Sequence, residues 1–502
     1  MSRTYTSEFL RRAAALCLLL MVFGLLFAIP LARAEPPPAA GSVRTIVDGL
    51  VVDALAANLE LAAGGADVEA RRAALDAARA RYLPALDFAA RYSRADGGRT
   101  IDLPVGDLLN PVYATLNQLT GTSSFTSIQN QRINLLRARE QETKVTLAQP
   151  LYDARLGAAR DAAAAQFDAA RAGHDALAGR VTRDMRQAYF RWLQARAQVG
   201  ILEATLELTH ENSRVNASLF RNGKITRDLV YRAEADVLEI EQARLAASNA
   251  AAIAQSYVNL LRNAPFDRAL PAAAVSDEDV AELRPRMARR GTTRAAGRAD
   301  AAARQLDELA EVASEERAEL KALDAEQAAA AAGERLARAA FKPQLLFAVD
   351  AGTQGEQYHF GSDDRYVLAS VVLKFNLFSG GADRAGLAGA RAMQREIAAN
   401  RSLAAQRIRL EVQQALQDLE VAQASLSTAA KRVEAAAGAF RIAQKKRDLG
   451  QINQAEFVDV RRLLTESQLN LNVTRFGALG SLAELEYALG TGAPSLSPEV
   501  QP

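Results

Sequence analysis

Three histidines, one cysteine and one tryptophan are the side chains of this 502-residue chain best suited to metal, thiol or ligand chemistry. Their spacing argues against all three. His174, His210 and His359 stand far apart without an i, i+4 pair, and the only thiol is Cys17, so no zinc-binding set is formed. No phosphate-binding glycine loop, dinucleotide fingerprint or G-x-S-x-G turn occurs. Trp192 falls on a run of apolar heptad positions and reads as a packing residue rather than a ligand platform. Neither an enzyme nor a cofactor carrier is expected, so function has to come from architecture.

That architecture is a duplication. Val181, Met185, Ala188, Trp192, Ala195, Val199, Leu202 and Leu206 step by fours and threes, and an offset of 227 residues lands on Ile408, Val412, Ala415, Leu419, Ala422, Leu426, Ala429 and Val433. The turns that follow correspond as well, Asn222-Gly223-Lys224-Ile225 lying over Leu449-Gly450-Gln451-Ile452. A seam of this length builds a coiled-coil helix, and its repetition builds internal pseudo-symmetry. No proline interrupts 155–219 or 381–449. At about 1.5 Å per residue such a helix runs roughly 100 Å, wider than any compact domain. Each ends at a glycine and reverses into a second helix, marked by Val230, Val237 and Ile240 in one copy and Phe457, Leu464 and Leu471 in the other. Each copy therefore holds an antiparallel helical hairpin.

Ahead of each hairpin the period changes from helical to alternating. Short helices are expected over 43–62 and 68–81, broken at Gly64-Gly65. In 85–93, Leu86, Phe88, Ala90 and Tyr92 then oppose Asp87, Ala89, Arg91 and Ser93, and 144–152 alternates likewise. The second copy repeats the pair at 344–351 and 366–378. Between its strands the first copy carries a long polar insert, 95–142, with Gly97-Gly98, Asn110-Pro111 and Gly121, whereas the second has only 352–365. Long loops at one end and tight strand-to-helix joints at the other are the asymmetry of an outer-membrane barrel, and strands of about nine to eleven residues suit a bilayer.

The amino terminus fits export. Arg11-Arg12, an apolar run from Ala13 to Ile29 and Ala32-Arg33-Ala34 read as a signal peptide, 1–34, the small residues favouring cleavage over an uncleaved anchor. Its removal takes Cys17 away and moves the formal charge from +2 to −1, since Arg3, Arg11, Arg12, Arg33 and Glu8 go with it. A near-neutral exported chain gives no case for nucleic-acid binding. The expected division is a first repeat 35–264, an inter-repeat equatorial segment 265–313, a second repeat 314–490 and a tail 491–502. Within the segment, 277–283 and 301–312 are candidate short helices.

Four strands cannot close a barrel, and open edges in hydrocarbon leave backbone groups unpaired at several kcal/mol each. The expected fold class is an α+β membrane protein. Its duplicated unit of two transmembrane strands and a coiled-coil hairpin is completed by oligomerisation into a β-barrel and an α-helical barrel.

In Gln149-Pro150-Leu151-Tyr152, Asn376-Leu377-Phe378-Ser379-Gly380-Gly381, Arg317-Ala318-Glu319-Leu320, Ala340-Phe341-Lys342-Pro343, Leu485-Glu486-Tyr487-Ala488-Leu489-Gly490 and the two glycine turns, the chain resembles the TolC-like outer-membrane efflux proteins. The resemblance implies a homotrimer with a twelve-stranded barrel in outer-membrane lipid and a helical barrel crossing the periplasm. Its partners would be a periplasmic adaptor and an inner-membrane pump of the RND, ABC or MFS type. The function implied is the exit duct of a tripartite efflux or type I secretion system.

It also implies a periplasmic tip ringed by acidic side chains, for which Glu456, Asp459 and, in the first copy, Asp228 are the matching positions. Gly223, Lys224, Gly450 and Gln451 fall at the tip turns and adaptor contact. Arg221, Arg227, Arg447 and Asp448 are candidates for ionic links between hairpins. The family's tip arginine is replaced here by Ile452. The alternative class is a periplasmic adaptor with coiled-coil hairpins, which would carry one hairpin flanked by lipoyl-like half-motifs rather than two at a fixed offset.

Overall fold

The computed structural model describes residues 42–273, 275, 280, 298–357 and 361–491. The expected leader, most of the 277–283 helix, His359 and the tail beyond Thr491 lie outside the described residues. In chain order the elements are α1 (Val43–Ala57), α2 (Leu59–Ala80), β1 (Ala85–Arg94), β2 (Thr100–Leu103), α3 (Val105–Thr120), β3 (Gln131–Asn134), β4 (Arg139–Asp153), α4 (Ala154–Arg221) and α5 (Arg227–Leu261). They continue with α6 (Arg298–Glu316), α7 (Ala318–Ala339), β5 (Gln344–Gly355), β6 (Arg365–Lys374), α8 (Ala382–Asp448) and α9 (Gln454–Ala488).

The duplication is legible in the element lengths. The long helices α4 and α8 have 68 and 67 residues, the return helices α5 and α9 have 35 each, and α2 and α7 have 22 each. Each return helix thus spans only half of its long partner, and a preceding short helix covers the rest. Asn58 makes one joint: its Oδ1 accepts the Glu60 and Leu61 N–H groups at 2.9 and 3.1 Å, and its Nδ2 donates to the Leu261 carbonyl at 2.8 Å. Arg317 makes the other, its Nη1 donating to the Tyr487 and Ala488 carbonyls at 3.5 and 3.3 Å. In both copies the side chain that opens one helix donates to carbonyls in the last turn of another, where backbone partners run out. The exits match too, since Asn263 and Gly490, 227 residues apart, both turn through positive φ, 49° and 74°.

Laterally, α4 packs between the joined α5/α2 pair and the joined α9/α7 pair, and α8 lies on the far side of the latter. Two belts brace this layer. Val47, Val51 and Ala54 of α1 bury against Met185, Tyr189 and Trp192 of α4, while Leu306, Leu309 and Ala313 of α6 pack on Ile408, Val412 and Leu485. Trp192, 4 % exposed and with its ring tilted against that of Tyr189 at 5.6 Å between centroids, is the packing residue its heptad position indicates. The Tyr189 hydroxyl donates to the Pro271 carbonyl at 2.8 Å, and burial pushes its pKa up to about 12.

The sheet has the order β1-β4-β5-β6, antiparallel throughout, which leaves β1 and β6 as its edges. Register places Leu86 beside Leu147, Leu147 beside Val349 and Val349 beside Ala369, with Phe88, Val145, Phe347 and Val371 on the same face. The opposite face aligns Asp87, Thr146 and Asp350, then Lys144, Gly352 and Tyr366. Gly352 is forced by this packing: a Cβ there would stand 2.4 Å from the Thr143 carbonyl oxygen. Tyr366, its cross-strand partner, reaches over it to donate to Glu142 at 3.1 Å.

Several expectations are corrected. The first helical break falls at Asn58, whose side chain caps a new helix, and α2 runs through Gly64-Gly65. Gly64 serves close approach, since a Cβ there would sit 3.2 Å from His174 and 3.3 Å from Leu177. The fourth strand ends at Lys374, not Phe378, because its partner β5 begins at Gln344 and the preceding Pro343 has no N–H to continue the ladder. The polar insert contains structure. A ribbon of β2 and β3 prolongs the β1–β4 hairpin past Gly97-Gly98 and carries α3, with Asn110-Pro111 inside the helix rather than at a turn. No described helix is long and apolar enough to cross a membrane.

Candidate functional site at the hairpin tips

The two tip turns are built alike. Gly223 and Gly450 each have φ +68°, and the residues that follow close the same bonds, Lys224 N–H to Leu219 O at 2.9 Å and Gln451 N–H to Lys446 O at 2.7 Å. That pattern ends a helix on a left-handed residue, which glycine adopts without a Cβ penalty. The two return helices start differently, the second on a side-chain cap and the first without one. Asn453 accepts the Glu456 N–H at 2.8 Å, and the Thr226 hydroxyl donates to the Asp228 carboxylate.

Glu456 and Asp459 are exposed within the first two turns of α9, and among the described residues neither makes an ion pair. Asp228 is exposed as well. The Thr226 hydrogen bond first, and the backbone N–H groups and Arg232 after it, hold its carboxyl below the usual value. A carboxylate in the first turn of a helix also sits favourably against the helix dipole. The basic candidates are engaged locally. Arg447 lies 4.5 Å over the Phe457 ring and 3.6 Å from its neighbour Asp448, and Arg227 lies 5.3 Å over Tyr231. Arg221 and Lys224 are exposed, without an ion pair among the described residues. Within one chain these basic groups are not brought onto Glu456, Asp459 or Asp228. The second tip is closed instead by Phe440, Ala443 and Phe457, with Ile452 packed against them.

The link between the two hairpins lies higher. On α4 the buried seam turns polar below Leu202, through Thr205, Thr209, Asn212 and Asn216 at spacings of four, three and four. Gln454 donates to Asn212 at 3.0 Å, and the Thr205 and Thr465 hydroxyls pair at 3.2 Å. Arg461 of α9 reaches Asp236 of α5 at 2.6 Å, the two side chains only 3 % and 9 % exposed. Apolar periodicity does not mark this seam, because its members are polar. The run of threonine and asparagine in heptad phase was the available signal.

His174 lies against Gly64, His210 Nε2 stands 3.7 Å from Glu241, and among the described residues no cluster of histidine, cysteine or carboxylate groups could hold a metal ion.

The family model described as "Outer membrane efflux protein" matches residues 50–263 and 309–491. No curated protein sequence matches the chain. Among solved structures the fold is similar to CusC, at 18 % identity and TM-score 0.71, over 90 % of this chain and 95 % of that one. It is similar to the CmeC outer membrane channel of Campylobacter jejuni, at 14 % and 0.71, over 90 % and 87 %. The open state of the MtrE outer membrane channel of Neisseria gonorrhoeae gives 19 % and 0.68, over 89 % of each chain.

Proposed function

Because the chain belongs to the outer membrane efflux protein family, a family of efflux ducts rather than enzymes, we propose that three copies join edge to edge into one tunnel. The chain itself is an outer-membrane efflux channel protein. What supports the assembly is its unclosed sides. The sheet ends in β1 and β6, and the helical layer ends in the α5/α2 pair and in α8. An edge strand in hydrocarbon needs a partner, and β6 of one copy meeting β1 of the next supplies it to every copy by rotation.

In that barrel the Leu86, Leu147, Val349 and Ala369 face turns to lipid, and the Asp87, Thr146 and Asp350 face lines the lumen. The helices reach into the periplasm, where the Gly223-Lys224 and Gly450-Gln451 turns meet an adaptor protein served by an inner-membrane pump. Glu456 and Asp459, with Asp228 beside them, ring the entrance, and three copies concentrate their charge around one axis. Arg221, Arg227, Arg447 and Asp448 stand where neighbouring copies approach and supply links between chains. The repeats 35–264 and 314–490, separated by 265–313, are the two units so arranged.

Native mass measurement of the detergent-extracted protein tests this reading. Three chains are expected, and a stable folded monomer overturns it. Extraction from the outer membrane should require detergent.

A further inference from the structure

The β1–β4 insert is a folded unit with one face uncovered. Helix α3 is fastened to the returning chain by paired amide bonds: Asn110 exchanges both bonds with the Ile128 backbone at 2.9 and 2.8 Å, and Asn117 does the same with Phe125 at 2.8 and 3.0 Å. Asn130 holds Asp107 at 2.9 Å, and Tyr113 packs on Phe125 at 5.6 Å. With that side occupied, Leu108, Val112, Thr115 and Leu119 form a second stripe at spacings of four, three and four. Leu108, Val112 and Leu119 are 70 %, 51 % and 79 % exposed. The Thr115 hydroxyl donates within the helix to the Pro111 carbonyl at 2.9 Å, so its hydrogen bond needs no outside partner.

Two observations identify the occupant. Helices that lie in a lipid interface carry Lys or Arg on the polar side and aromatic anchors on the apolar one. Residues 105–120 contain no Lys, Arg or Trp, and their one tyrosine is turned inward. Four-three-four spacing is, by contrast, the pattern one helix presents to another. The insert also grows from the end of β1, the edge strand of the sheet, and so stands at the seam where the next copy joins.

We infer that the Leu108, Val112 and Leu119 stripes of neighbouring copies pack on one another, gathering the α3 helices into a collar over the mouth opposite the hairpin tips. This rests on the edge-to-edge assembly proposed above. Cys17 is the only cysteine and lies in the expected leader, so introduced thiols report cleanly. Val112→Cys, Leu119→Cys and, off the stripe, the exposed Gln118→Cys would each be oxidised in outer-membrane vesicles and run on non-reducing gels. The stripe variants should give several-fold more covalent dimer than Gln118→Cys. Equal yields in a chain that still runs as an oligomer on native gels overturn the collar alone. A chain that runs as a monomer overturns the assembly beneath it. Quenching of a fluorophore on Leu119→Cys by spin-labelled lipid assigns the stripe to the bilayer and likewise overturns the collar.

Discussion

Arg461 of the second hairpin donates to Asp236 of the first at 2.6 Å, almost out of contact with solvent, in a buried ionic bond between the two repeats. Neither partner is fully satisfied, because Arg461 Nε and Asp236 Oδ2 have no hydrogen-bond partner among the described residues. Near them Thr205, Thr209 and Asn212 continue the buried side of α4 that holds Val181, Met185 and Trp192 further up the same helix. A polar seam packs less favourably than an apolar one, and a buried ion pair seldom repays its desolvation in full.

Removing one partner of this pair should therefore hurt more than removing both. Asp236→Leu strands the Arg461 guanidinium and is expected to cost about 3–5 kcal/mol, whereas Asp236→Leu with Arg461→Met should recover most of that loss. Thermal unfolding followed by helical circular dichroism in detergent measures the cycle. A double variant no better than the single shows that the pair is net stabilising.

The same pair sets a pH dependence. Burial raises the Asp236 carboxyl above its ordinary 3.8 even though Arg461 pulls it down. Between the ordinary and the raised value the folded chain binds more protons than the unfolded one, so this group's contribution to stability falls as pH rises through that window. Asp236→Asn removes the titration. Its unfolding midpoint should vary less with pH across the carboxylate range than that of the unaltered chain, and parallel curves would assign the slope to other groups.

At the tip, Gly450 has φ +68° and open space where a Cβ would stand, so substitution strains the backbone rather than the packing. A left-handed β-branched residue costs about 1–2 kcal/mol or more, and asparagine costs less. Gly450→Val should impair pump-dependent export while the barrel still inserts, and Gly450→Asn should retain it, as Asn263 does in the same backbone region. Unimpaired export by Gly450→Val would separate this turn from the working tip.

Glu456 and Asp459 are exposed at the start of α9, where charge acts through solvent. Replacing them together, Glu456→Gln with Asp459→Asn, should lower cation selectivity and multivalent-cation block in planar bilayers without unfolding the protein. The difference should shrink with salt, because the screening length falls from about 10 Å at 0.1 M to about 3 Å at 1 M. Unchanged selectivity and block at low salt would falsify the acidic ring.

Asn58 joins α2 to α5 through one side chain. Asn58→Ala removes a cap and leaves the Leu261 carbonyl unpaired, an expected loss of about 1–2 kcal/mol. Hydrogen exchange should speed up first at Glu60 and Leu61, and uniform protection across the joint would show that packing alone holds it.

Local rules were enough to determine the repeat, the long helices, the tip glycines and the strand faces. Period is a property of neighbours in sequence, and positive φ at Gly223 and Gly450 follows from ending a helix within three residues. Leu86, Phe88 and Ala90 alternate whatever lies beside them, and the register confirmed the face they share with Leu147 and Val145. The half-length return helices, the joints at Asn58 and Arg317, and the pairing of Arg461 with Asp236 were decided by tertiary structure. Each brings together residues more than 160 positions apart, and nothing in a helical period says which distant helix will be adjacent. Helix α3 was hidden for a related reason. Its Asn110-Pro111 reads locally as a turn, and the bonds from Asn110 to Ile128 and from Asn117 to Phe125 that fasten the helix join it to residues no helical period points to.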